Sequence, residues 1–216
     1  MNDEIMKKSL QESADVEVYP ATAERWKDIE SLFGAKGAYA GCWCMFWRLD
    51  RADFKRMKGE GTKAVLKGMT TSNNVAGLLA YVDGQPIGWC SISPRKDYAA
   101  LENSRILKRI DDMPVWSIVC FFVAKPFRNK SITSKLLRGA VKYAEQQGAK
   151  IIEGYPIDMQ TDKLAGQKLN SYSGYMGIAS IFRAAGFVKV ADASETQLIM
   201  RYTVKNKKQL FSKTAG

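Results

Sequence analysis

The stretch Val115–Glu145 constrains this chain more than any other, because its pattern changes period once, across a short basic turn. Its first nine residues, VWSIVCFFV, are almost all apolar and rich in β-branched and aromatic types. That composition predicts a central strand buried on both faces rather than an alternating edge strand. From Ser131 onward Ile132, Leu136, Ala140 and Ala144 recur every four residues with Leu137 and Val141 beside them, while Lys135, Arg138 and Lys142 fall elsewhere. Such spacing predicts an amphipathic helix packed on the strand. Between the two, Ala124–Lys130 (AKPFRNK) delivers the chain to the helix N-terminus, where unpaired backbone N–H groups and the positive end of the macrodipole face outward. A corner of this kind binds phosphate.

At 216 residues the chain is long enough for one well-filled α/β or α+β domain, read here as residues 16–204 between a flexible segment 1–15 and a basic tail 205–216. It has no histidine, which removes Ser-His-Asp and Cys-His catalysis and most catalytic zinc sites together. With 33 basic and 22 acidic residues the formal charge is +11, which favours an anionic ligand, nucleic acid or a membrane surface without choosing among them. Part of the excess lies in the tail around Lys205–Lys208, whose default reading is a solvated end rather than a nucleic-acid contact. No apolar run approaches the roughly 18 residues of a membrane span, and Met1–Glu12 is polar, so the expectation is a cytoplasmic protein with no membrane partner. Cys42, Cys44, Cys90 and Cys120 then read as free thiols.

Along the chain, Val16–Val18 reads as a first strand and Ala23–Phe33 as a helix, capped by Thr22 and ended by Gly34. Gly34–Gly41 leads into the aromatic run Cys42–Trp47 (CWCMFW), which either packs as core or walls a substrate pocket. Asp50–Met69 reads as one or two surface helices. Val75–Val82 and Pro86–Ser93 form a hairpin about the turn Asp83-Gly84, and Tyr98–Ile110 reads as a polar helical insertion. Asp111 and Asp112 precede a proline and suit a turn better than catalysis. Beyond the central helix come a strand at Ile151–Tyr155, a loop Asp158–Gly177 long enough for a functional role, a helix Ile178–Ala185, and a terminal hairpin of Phe187–Val190 with Gln197–Tyr202.

This order of elements, with Arg128-Asn-Lys-Ser-Ile-Thr133 at the corner and Ala185-Gly186-Phe187 near the end, resembles the GCN5-related N-acetyltransferases over roughly residues 16–204. The segments Cys42–Arg48 and Ser93-Pro-Arg-Lys96 with Val115-Trp-Ser117 look like an uncharacterised bacterial branch of that family. The resemblance implies an α/β (α+β) single domain with a mixed, mostly antiparallel sheet of about seven strands flanked by helices. It implies an acetyl-CoA-dependent N-acetyltransferase, with acetyl-CoA and an amine acceptor as partners and a homodimer as one possible assembly. The family's pattern Arg-x-x-Gly-x-Gly or Ala clasps the pyrophosphate of acetyl-CoA, so Arg128, Asn129, Lys130, Ser131, Ile132 and Thr133 would bind it, with Ser131 and Thr133 standing where small residues are usual. Phe122 and Val123 would hold the pantetheine and polarise the thioester carbonyl.

The implied reaction is direct attack of an amine on the thioester, driven largely by orientation. Phe182 falls where the family places a tyrosine acid, so Tyr175, Tyr172 of the same loop, or solvent takes that role, with Tyr175 preferred. For the base, Glu153 is the best placed carboxylate, ahead of Asp158 and Glu102, although each suits an ion pair as well. Period two along the strand puts Trp116, Ile118, Cys120 and Phe122 on one face, and Cys120 offers an acyl-cysteine route against the inertness of a buried thiol. Trp43, Cys44, Trp47 and Trp116 are the candidate substrate-binding residues. A CoA-binding module with little chemistry is the alternative reading, and a basic nucleic-acid-binding protein, resting on charge alone, is a third.

Overall fold

The structure, a computed structural model, describes residues 15–72, 75–167 and 174–205. The expectations placed on the N-terminal segment, on the tail beyond Lys205 and on Tyr172 fall outside them.

Seven strands form one sheet: β1 (Glu17–Pro20), β2 (Leu78–Val82), β3 (Gln85–Pro94), β4 (Trp116–Val123), β5 (Ile151–Gly154), β6 (Val188–Asp192) and β7 (Leu198–Thr203). Their spatial order is β1-β2-β3-β4-β5-β7-β6, and only β4 and β5 pair in parallel. A parallel neighbour requires a crossover, which here is the long helix α5 (Ile132–Gln146). Before it come α1 (Trp26–Phe33), α2 (Arg51–Met57), α3 (Glu60–Thr71) and the single turn α4 (Ala99–Glu102); α6 (Ala179–Ala184) follows. Among the described residues no helix is long and apolar enough to cross a membrane.

The sheet is covered on both faces. On one, α5 buries Ile132, Leu136, Leu137, Ala140, Val141 and Ala144 against Leu78, Ile87 and Ile118. Each such aliphatic side chain contributes about 1.5–3 kcal/mol on full burial. The approach is close because Gly88 and Gly139 carry no Cβ: one at Gly139 would lie 2.6 Å from Val18. On the other face α1 places Trp26, Ile29, Leu32 and Phe33 against Leu79, Tyr81 and Trp89.

Three expectations need correction. The Ala23–Phe33 helix begins as a 3-10 turn at Ala23–Arg25, and Thr22 makes no side-chain cap hydrogen bond. The polar helical insertion shrinks to α4, because Arg95, buried and donating to the carbonyls of Leu101 and Leu107 at 3.2 and 2.6 Å, winds the following chain around its own guanidinium. Strict alternation along β4 fails at a β-bulge: Ser91 pairs with Cys120 but Ile92 pairs with Ile118, which leaves Val119 unmatched. One extra residue flips every later side chain to the other face. Trp116, Ile118 and Phe121 therefore pack on the α5 side, while Cys120 and Phe122 pack on the α1 side.

Candidate active site

β4 and β5 pair only over Trp116–Ile118 against Ile152–Gly154. Beyond that point β5 ends and the strands part. The loop before α6 enters the gap, where the carbonyl of Tyr175 accepts the Phe121 N–H at 2.6 Å. Gly154 permits this ending, since a Cβ there would meet Phe182 at 2.2 Å. Phe182 is fully buried and stacks edge-on with Phe121 and Phe187, so the position expected of a tyrosine acid is core.

N–H groups along a strand alternate sides. The Phe121 N–H faces the gap and the Ala124 N–H reaches the Ile87 carbonyl on β3. Of the two amides expected to polarise a carbonyl, that of Phe122 accordingly points into the β3 ladder and that of Val123 points to the gap. Arg128 Nε donates to the Val123 carbonyl on that same side at 3.0 Å.

The corner after β4 has the backbone a phosphate cradle requires. Asn129 and Ser131 stand at φ +61° and +57°, so Ser131 adopts the left-handed conformation of the glycine it replaces. Its side chain makes no cap hydrogen bond, which leaves the first-turn amides of a 15-residue helix, Ile132 and Thr133 among them, to other acceptors. Arg128 and Lys130 add positive charge. These residues fit a pyrophosphate.

Beside the corner a cavity of about 260 Å³ lies on the α1 side of the sheet. Cys120, Phe121, Phe122 and Arg128 form one wall; Ala38, Tyr39, Ala40, Cys42, Cys44, Phe46 and Trp47 form the opposite one; and Phe33, Phe54, Lys58, Trp89 and Tyr175 complete it. Trp89 Nε1 donates to Cys44 Sγ at 3.1 Å. The hydrogen bond from Cys120, helped by Trp89, Arg48 and Ser91 and opposed by burial, holds the Cys44 thiol below its usual range. That contact and burial push Cys120 well up, and burial raises Cys42 to about 11.

Of the candidate residues, the cavity brings together Cys44, Trp47, Cys120, Phe122, Arg128 and Tyr175. Trp43 does not line it: the indole is buried, stacked on Trp26 at 6.1 Å, where it serves as core. Trp116 is on the opposite face of the sheet, edge-on to Tyr143 at 6.0 Å, because of the bulge. Glu153 is committed to structure instead of proton transfer. It is 1% exposed, accepts from Arg95, Tyr155 and Arg201 at 2.7–2.9 Å, and lies outside the cavity lining. Asp158 pairs with Arg183 and Glu102 with Arg95 and Arg109. Phe33, Phe54 and Trp89 escaped the sequence reading as pocket residues, since an aromatic on a helix or strand carries no sign of which cavity it meets.

Residues 43–159, more than half of the chain, match the Acetyltransferase (GNAT) family. The chain belongs to that family. It is an acyltransferase, with acetyl-CoA as cosubstrate. Among solved structures, a GNAT-family acetyltransferase of Listeria monocytogenes superposes over 88% of this chain and 95% of its own, at 11% identity and a TM-score of 0.50. The PaiA N-acetyltransferase of Thermoplasma acidophilum, in complex with coenzyme A, covers 88% of this chain and 99% of its own, at 16% identity and a TM-score of 0.48. At such identities the likeness is one of fold. No curated protein matches the sequence.

Proposed function

We propose that this acyltransferase moves the acetyl group of acetyl-CoA to a primary amine of a small molecule or peptide by direct attack. The observation that carries the reading is one cavity shared by the basic corner and the aromatic loop, with Arg128 and Phe122 on one side and Phe46 and Trp47 on the other. Arg128 to Thr133 hold the pyrophosphate, and the Val123 backbone holds the pantetheine arm. The acceptor then approaches from the side of Trp47 and Phe54, through a wall that is mostly apolar. Tyr175, which lines the cavity beside the gap in the sheet, protonates the departing thiolate in this reading.

Thiol release from acetyl-CoA across a panel of amines tests the activity, and acetyl-CoA binding without release onto any acceptor would favour a binding module. Arg128→Ala weakens acetyl-CoA binding by about 1–3 kcal/mol, as expected for a charge-assisted contact. Titration calorimetry with unchanged affinity would remove Arg128 from the pyrophosphate site.

A further inference from the structure

Three thiols meet in the cavity: Cys42 and Cys44 from the loop and Cys120 from β4. Among the described residues no Asp or Glu lines it, the chain has no histidine, and Glu102, Glu153 and Asp158 are each bound to arginine. An alkylamine arrives at neutral pH as an ammonium ion and must lose a proton before its lone pair can attack. Apart from the thiols, the titratable groups that line the cavity are Tyr39, Lys58, Arg128 and Tyr175, and side chains of those types ordinarily hold their protons at neutral pH. Cys44 Sγ, however, sits there with the Trp89 indole donating to it at 3.1 Å, with Cys120 and Ser91 against it and Arg48 nearby.

We infer that Cys44 is the catalytic base that deprotonates the acceptor amine. The inference rests on the amine acceptor proposed above. In the first step the Cys44 thiolate takes a proton from R–NH3+, giving the thiol and R–NH2. The amine lone pair then forms the C–N bond at the thioester carbonyl, the C–S bond breaks, and the second nitrogen proton passes to the departing thiolate through Tyr175 or water. Cys44 returns its proton to solvent.

The Trp89 indole that donates to Cys44 Sγ at 3.1 Å favours the thiolate there, whereas burial raises Cys42, Cys90 and, to about 12, Tyr98, and the contact with Cys44 together with burial raises Cys120.

The test compares wild type with Cys44→Ser, using an alkylamine and an aniline, whose nitrogen is already neutral at pH 7. With the alkylamine, kcat/KM of Cys44→Ser at pH 7 falls about a hundredfold, the low end of general-base catalysis. The deficit closes as pH approaches the alkylamine's own pKa, and the aniline is acetylated at nearly the wild-type rate. A loss equal for both amines at every pH, or no loss, overturns the inference. So does an acetyl group found on Cys44 by intact mass after acetyl-CoA alone and then passed to added amine. If Cys44→Ser does not fold, alkylation of wild-type Cys44 by iodoacetamide decides: a midpoint below the ordinary thiol value of about 8.5 supports the base, and one at or above it refutes it. Wild type that acetylates alcohols or thiols but no amine overturns the acceptor class, whereas the other outcomes overturn the base alone.

Discussion

The two walls of the cavity are built by opposite means. The wall proposed for the cosubstrate is a strand, a turn and a helix, Trp116–Gln146, in which Asn129 and Ser131 are the residues at positive φ. The wall proposed for the acceptor, residues 34–49, contains no helix or strand, and Gly34, Gly37, Ala38, Ala40, Gly41, Trp43 and Cys44 all have positive φ. Regular elements spread their stability over a ladder and a helical face, so one substitution removes a small share. The loop instead hangs on a few contacts. Trp43 is clamped between Trp26, Phe33 and the ammonium of Lys63, and the Gly41 carbonyl accepts from Thr62 Oγ1 at 2.7 Å and from the Gly59 N–H at 3.1 Å. Strain concentrated this way is characteristic of sites whose shape is set by function.

If that contrast holds, the same glycine-to-alanine change costs unequal amounts on the two walls. At Gly37 the added Cβ would lie 2.3 Å from Trp43 Nε1, at φ +58°. Overpacking and a left-handed alanine together cost about 3 kcal/mol. Chemical denaturation of Gly37→Ala checks this, and acetylation should fall in the protein that remains folded, while acetyl-CoA affinity holds. On the regular wall, a Cβ at Gly88 would meet Leu136 at 3.0 Å and Ile132 at 3.2 Å, without a positive φ. Flexible side-chain ends give by a few tenths of an ångström, so Gly88→Ala costs about 1 kcal/mol. Equal losses at the two positions would break the comparison.

The contrast also explains what could be read from the sequence. Both hairpins, β4, α5 and α6 are written in local periods and turn residues, and they stand near their expected places. The bulge at Val119 is not local: it follows from how β3 and β4 match, and it sent Trp116 to the wrong face of the expected site. Glu153 shows the same limit for charge. Its partners Arg95 and Arg201 lie 58 and 48 residues away, so a strand carboxylate destined for an ion-pair network reads like a catalytic one. The aromatic run divided, with Trp43 in the core and Phe46 and Trp47 at the cavity, because left-handed backbone at Gly41, Trp43 and Cys44 decides direction more than hydrophobicity does. The turn that carries Arg128 and Ser131 was legible because a strand, a tight turn and a helix start are all written locally.

The smallest effect probes Ser131, one of the two left-handed residues of the regular wall. A non-glycine residue in the left-handed region costs about 1–2 kcal/mol, and Ser131 occupies it at φ +57° without a side-chain cap bond in return. Glycine removes that penalty but adds backbone freedom to the unfolded chain, which offsets about half of the gain. Ser131→Gly should therefore raise stability by about 0.5–1 kcal/mol in the absence of ligand and leave acetyl-CoA affinity unchanged or slightly higher, since the amides already point as glycine would set them. A loss of affinity in Ser131→Gly would mean that the hydroxyl itself touches a phosphate oxygen, and the corner would then recognise its ligand through a side chain as well as through the helix amides.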